Sequence, residues 1–272
     1  MLRPRPSVLL ALALTFALDS LAARAADPVK ERLETSRRHH EWMEVASGDG
    51  RQVKCFVVFP EVSDKATAVI VIHENKGLTD WERSVADRLA EEGFLAIAPD
   101  LLSGTGPQGG GTESYPSRDA ATKAIYGLKP EQVNEDLDAV YAHAKQMDAA
   151  NGKVATVGFC WGGGKSFAYA IHNPQLTAAI VFYGSAPADD DAIDKIQAPV
   201  FGFYGENDQR ITGQLLEVAD WMKDHSKTFD FVVYDGAGHG FLRAGEQPTA
   251  NDADRKAHQE AWARLKEILA SL

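Results

Sequence analysis

The sequence predicts an α/β fold built on an open, mostly parallel sheet of about eight strands, with helices on both faces. Three observations carry that reading. Apolar runs of strand length recur along the chain. Those in the middle are almost unbroken Val, Ile, Ala and Phe, which suits strands buried on both faces of a parallel sheet. Helical patterns fill the gaps, and strands alternating with helices are the mark of this layered architecture. The chain has 272 residues, 44% hydrophobic and 25% charged, and one such domain accommodates it.

The first segment stands apart from that fold. Arg3 and Arg5 precede an apolar run over 8–18, and "ARAA" closes it. A charged start, an apolar middle and small residues at a cleavage point make a secretory signal peptide over 1–25. The run is too short to span a bilayer, which takes about 20 residues. Cleavage would leave a single domain over 26–272, exported to the periplasm or secreted. That chain carries 25 basic against 38 acidic side chains, a balance that repels phosphate backbones and excludes nucleic acid as a partner. No later window is long and apolar enough to cross a membrane, and a soluble monomer is expected.

The remaining elements follow in order. Apolar runs at 42–47 and 53–60 lack a helical spacer and are expected to enter the sheet antiparallel. Strands are expected at 67–74, 94–101, 154–159, 177–184, 200–205 and 229–236. The helix over 79–93 opens on a Thr79–Glu82 capping box and ends at Gly93. Pro130 sits in the first turn of the helix over 129–147. Further helices are expected over 163–174, 212–225 and 250–272. A long connection, 101–128, opens Gly-rich and polar, and such a loop is either mobile or functional. Its glycines lack the Gly-Lys-Ser/Thr ending of a phosphate-binding loop.

The chain has two cysteines, Cys55 and Cys160, without the C-x-x-C spacing of a redox or zinc site, so no metal is expected. Cys55 lies inside an apparent strand and reads as a buried, inert thiol. Cys160 stands at the end of one, in Gly158-Phe159-Cys160-Trp161-Gly162. This G-x-C-x-G sequence is the nucleophile-elbow pattern with cysteine in place of serine. The tight turn needs its glycines, because side chains there would clash with neighbouring backbone. It also puts the sulfur at a helix N-terminus, where the dipole favours thiolate. The Trp161 backbone N–H then points where an oxyanion would develop.

Asp208 follows the run at 200–205, and His239 follows the run at 229–236. Nucleophile, acid and histidine in that order, each after a strand, is the order of the α/β-hydrolase fold. His239 would take and return the thiol proton, and Asp208 would orient its imidazole. The strand at 67–74 delivers His73, Glu74 and Asn75 to the same sheet edge, where the Asn75 backbone N–H would be the second oxyanion donor. Glu74 is unusual there for a serine hydrolase, and on its own it reads equally as a loop carboxylate.

On "HENKGL", "APDLL", "GFCWGG", "YGENDQRI" and "GHGFLR" the chain resembles the dienelactone hydrolase (carboxymethylenebutenolidase) family, from about Glu44 to Leu272. The resemblance implies a cofactor-free hydrolase that opens an unsaturated, carboxylate-bearing lactone. It implies a Cys160–Asp208–His239 triad with Glu74 beside the thiol. Glu74 would keep the thiol protonated until an anionic substrate turns it towards the sulfur. It also implies arginines on the substrate carboxylate, which match Arg243 and, more loosely, Arg118. Trp161 and Tyr126 are candidates to line the pocket. A broad carboxylesterase or thioesterase would use the same triad. A ligand-binding protein on a hydrolase fold and a redox sensor built on Cys160 are readings from other classes. The sensor lacks a resolving cysteine at short spacing.

Overall fold

The computed structural model describes residues 27–48 and 50–272. The expected signal peptide lies outside the described residues. In chain order the elements are α1 (Pro28–Thr35), β1 (His40–Ala46), β2 (Gln52–Val58), β3 (Ala66–Ile72), α2 (Asp80–Glu91), β4 (Leu95–Pro99) and α3 (Arg118–Tyr126). Then come α4 (Pro130–Gln146), β5 (Ala150–Phe159), α5 (Trp161–His172), β6 (Ala178–Phe182), β7 (Val200–Gly205) and the short α6 (Gln209–Thr212). The chain finishes with α7 (Leu215–Asp224), β8 (Phe229–Tyr234), the short α8 (Phe241–Ala244) and α9 (Asp252–Ala270).

One eight-stranded sheet runs β1-β2-β4-β3-β5-β6-β7-β8. β1 pairs antiparallel with β2, and β2 antiparallel with β4, as the missing helical spacer implied. From β4 to β8 every pairing is parallel. All residues of β3, β4 and β6 are buried. Ile70 and Ile72 join the core under α4, α5 and α7. Val69 and Val71 join the opposite core under α2 and α9. Alternate residues of one strand thus supply two cores. Each fully buried Val or Ile contributes about 1.5–3 kcal/mol.

The Thr79–Glu82 capping box is present at the start of α2 and is worth about 1 kcal/mol. Asp87, fully buried on α2, ties α1 and β1 to that helix through Arg32, Ser36, Arg38 and His40.

The structure corrects several boundaries. α5 begins at Trp161, two residues earlier than the reading from 163. β5 begins at Ala150, because Ala66 pairs with it across an irregular register before the apolar run starts. The helix expected over 212–225 is α7, which starts three residues later at Leu215, with the short α6 ahead of it and Gly213 between them. Helix α1 was not expected. The connection 101–128 is ordered: it contains α3, and the Asp100 carboxylate accepts from the Thr112 backbone N–H (2.7 Å) and hydroxyl (2.7 Å). The Thr112 hydroxyl accepts in turn from the Leu78 N–H at 3.0 Å.

This topology fixes where a site can form. From β3 the chain goes to β4 on one side, then to β5 on the other. Ligands in open parallel sheets bind outside the carboxyl ends of strands at such a reversal. Ile72 pairs with Gly158, so the segments leaving β3 and β5 emerge side by side there.

Candidate active site

Cys160 is the residue between β5 and α5, with φ 54° and ψ −114°. A non-glycine residue in this region costs on the order of 1–3 kcal/mol, and the surroundings hold it there. Its N–H donates to the Phe182 carbonyl at 3.0 Å, and its carbonyl accepts from the Gly164 N–H at 3.2 Å. The turn packs against backbone on every side. A Cβ at Gly158 would run into the Gly162 carbonyl, and one at Gly162 into the carbonyls of Ile72 and His73. These glycines let the elbow nest against the segment leaving β3.

His239 follows β8 in a loop that passes directly over the end of β7. A Cβ on Gly205 would lie 2.6 Å from the Ala237 carbonyl and 2.7 Å from that of Gly238. The Gly238 N–H donates to Asp254 on α9 at 2.9 Å, which anchors the loop. The His239 Nε2 lies 3.1 Å from the Cys160 Sγ, and its Nδ1 lies 2.5 Å from the Asp208 Oδ2. Asp208 is buried at the start of α6. A neutral imidazole fits both contacts: Nδ1–H donates to the carboxylate, and Nε2 accepts from the thiol. The Tyr183 ring meets the imidazole edge-on at 5.1 Å.

The backbone N–H groups of Trp161 and Asn75 act on the Cys160 sulfur to favour its charged form, as does the charge of Arg210. Burial and the charge of Glu74 act the other way and prevail, raising the thiol above its ordinary value. The thiolate preference expected from the helix terminus is therefore outweighed, and the surroundings favour the neutral thiol. His73 braces the two donors. It is fully buried, its Nδ1–H donates to the Glu74 carbonyl at 2.7 Å, and its Nε2 accepts from the Leu101 N–H. Its ring stacks on Trp161 at 5.5 Å.

Glu74 is 4% exposed. Its carboxylate is turned to Arg243, whose Nε donates to it at 3.1 Å. Burial and the neighbouring Glu82 push the Glu74 carboxyl up to about 7, against the pull of Arg243 and Lys76. Glu82 has two jobs here, since its carboxylate caps α2 and also accepts the Glu74 backbone N–H at 3.1 Å. Glu74 thus acts on the thiol through its charge, from a position held by Arg243.

Two cavities divide the candidate residues. A cleft of 310 Å³ takes Cys160, His239, Trp161, Tyr126, Lys165 and Arg210. A second cavity, of 1150 Å³, takes Glu74, Arg243 and Arg118. Arg118 thus shares a cavity with Arg243 and does not line the cleft that holds the sulfur. Tyr126 is exposed, and its hydroxyl accepts from the Asn75 side chain at 3.3 Å. Sequence reasoning missed Lys165 and Arg210. The available signals were the spacing of Lys165, four residues from Trp161 on one helix face, and of Arg210, two residues past Asp208. Cys55 is fully buried, and burial holds its thiol protonated.

The sequence profile of the dienelactone hydrolase family matches residues 53–272. A Salmonella typhimurium chain assigned as a carboxymethylenebutenolidase is 32% identical over 233 residues, covering 81% of this chain and 83% of its own. A Bradyrhizobium chain assigned as a 2-oxo-3-(5-oxofuran-2-ylidene)propanoate lactonase is 27% identical over 238 residues, covering 82% and 90%. The crystal structure of a Klebsiella pneumoniae chain assigned as a dienelactone hydrolase superimposes with a TM-score of 0.75 at 27% identity, over 86% of this chain and 99% of that one.

Proposed function

The chain belongs to the dienelactone hydrolase family, and from that premise we propose that this ester or lactone hydrolase works through a Cys160–His239–Asp208 triad and a thioester acyl-enzyme. The observation that carries the reading is the unbroken line from sulfur to imidazole to buried carboxylate, with two backbone N–H groups on the same sulfur. His239 takes the thiol proton as Cys160 attacks the carbonyl carbon. The Trp161 and Asn75 N–H groups hold the oxyanion, and Asp208 holds the imidazolium. Collapse expels the alkoxide, which His239 protonates; in a lactone this opens the ring. Water deprotonated by His239 then cleaves the thioester and releases the acid.

Arg243, with Arg118 in the same cavity, is the binding group for a carboxylate on the lactone, because a guanidinium pairs with carboxylate through two parallel hydrogen bonds. In the free protein Arg243 is engaged by Glu74. A substrate carboxylate that takes Arg243 frees Glu74 to turn to the thiol and pass its proton on to His239. The nucleophile then forms when there is something to attack, which guards the sulfur against oxidation between turnovers. The leader read in residues 1–25 assigns this work to an exported protein.

Cys160→Ala tests the proposal. The folded variant is expected to lose hydrolysis by several orders of magnitude, as loss of a nucleophile does. Mass spectrometry of wild-type protein quenched during turnover is expected to find the acyl group on Cys160. Near-native turnover by the variant, or acylation at another residue, would overturn it.

A further inference from the structure

The 310 Å³ cleft over Cys160 has no Asp or Glu in its lining, yet it holds two cations, Lys165 and Arg210. This is an odd distribution in a chain of net charge −11. Neither cation has a hydrogen bond or ion pair with another described residue. Most unpaired cations need no explanation, because water solvates them at an open surface. Lys165 is different. It stands half-buried on α5 with its ammonium 5.2 Å from the centre of the Trp161 ring, and burial lowers its pKa. The fold keeps a partly desolvated charge there without a counterion. Arg210 comes from another element, α6, and faces the same space, where its charge is felt at the Cys160 sulfur. Both are separate from Arg243 and Arg118, which line the other cavity.

We propose that Lys165 and Arg210 form a second anion subsite, which selects substrates carrying a carboxylate beyond the scissile carbonyl, in the cleft of Cys160 itself. The proposal rests on the hydrolase reading and deepens it. The preferred substrate is an ester or lactone that keeps two free carboxylates besides the scissile carbonyl, one directed to Arg243 and the other to this pair. Trp161 has two roles in this arrangement: its N–H faces the sulfur, while its ring carries the lysine that reads the substrate.

The test compares mono-p-nitrophenyl adipate with p-nitrophenyl hexanoate, which has no second carboxylate. In Lys165→Met and in Arg210→Gln, the ratio of kcat/KM for the anionic to the neutral ester is expected to fall about 10-fold, the usual loss of one charge-assisted contact. Lys165→Arg is expected to keep most of the ratio. A calorimetric arm reads binding without turnover. Adipate titrated into Cys160→Ala protein is expected to bind, and to bind about 10-fold more weakly when Lys165→Met or Arg210→Gln is added. Inorganic phosphate is expected to bind more weakly than adipate. Equal losses on both esters would overturn the subsite, as would adipate binding that ignores both substitutions or phosphate binding in preference to adipate. Arg210 is exposed, so its variant decides the matter even if a Lys165 variant does not fold. Adipate binding that responds to the substitutions in a protein that hydrolyses neither ester would sink the hydrolase reading and leave the subsite standing.

Discussion

Asp87 and Glu74 are both carboxylates shut away from water, and the protein treats them in opposite ways. Asp87 accepts from Ser36, from Arg38 twice, from Arg32 and from His40. Burial alone would raise its pKa, but these donors override that and hold it well below the usual carboxylate range. Glu74 has one side-chain donor among the described residues, Arg243, and faces the charge of Glu82. Its carboxyl therefore sits at about 7. A buried carboxylate with a full set of donors is a fixed structural joint. One with a single movable donor is a charge that can be switched. The number of donors, more than the depth of burial, separates a brace from a working group.

The largest effect should come from breaking the brace. Asp87→Asn leaves Arg38 and Arg32 facing a neutral amide, and removing one partner of a buried ion pair costs about 3–5 kcal/mol. Urea unfolding at pH 7 is the measurement. A loss under about 1 kcal/mol would show that the cluster does not hold α1 and β1 to α2.

A smaller effect should separate the two residues by pH. Glu74 is raised on folding, from 4.5 to about 7. Its protonated form stabilises the fold fully below 4.5, and that stability is lost as pH climbs through about 7. A shift of that size corresponds to roughly 3 kcal/mol. Asp87 is lowered, so its contribution is present above its unfolded value of 3.8 and lost as pH falls below it. Stability measured against pH should therefore fall between 4.5 and about 7 in the wild type and lose that slope in Glu74→Gln. A slope that survives the substitution would assign the titration to another group.

The smallest effect concerns the thiol. The charge of Glu74 raises the Cys160 pKa. Glu74→Gln should therefore speed iodoacetamide labelling of Cys160 at pH 8 by roughly three- to tenfold while slowing turnover. Asp87→Asn, assayed where it remains folded, should leave labelling where it was. An unchanged labelling profile in Glu74→Gln would mean that the carboxylate and the sulfur are not coupled.

The two carboxylates also differ in how far the sequence revealed them. Glu74 stands in a motif at the end of an apolar strand, so its place at the sheet edge was legible. Its partner was not: Arg243 lies 169 residues away, and no local pattern shows which cation will be turned to it. Nothing in the sequence marked Asp87, because its donors come from α1, β1 and the link between them, and α1 has one buried residue, Val29, to announce it. The parallel strands were legible because burial on both faces demands continuous Val and Ile. Helix α3 was not, because only Ala121 and Ile125 of its nine residues are buried, too few for a helical stripe. Lys165 and Arg210 lie close to readable motifs, but the shared cleft that gives them meaning exists only after folding.

The hydroxyl of Thr112 has a further consequence. It joins Asp100, at the head of the long connection, to Leu78, three residues past Asn75. Gly77 lies so close beneath it, at φ 84°, that a Cβ there would strike the Thr112 side chain. The connection and the Asn75 segment are thereby one mechanical part. A lid that swung at this point would drag the Asn75 amide with it. Tyr126, near the far end of the same connection, ties it a second time to the Asn75 side chain. The stretch whose glycines admit a mobile loop in the sequence is, in this respect, a fixed support for the segment beside the sulfur.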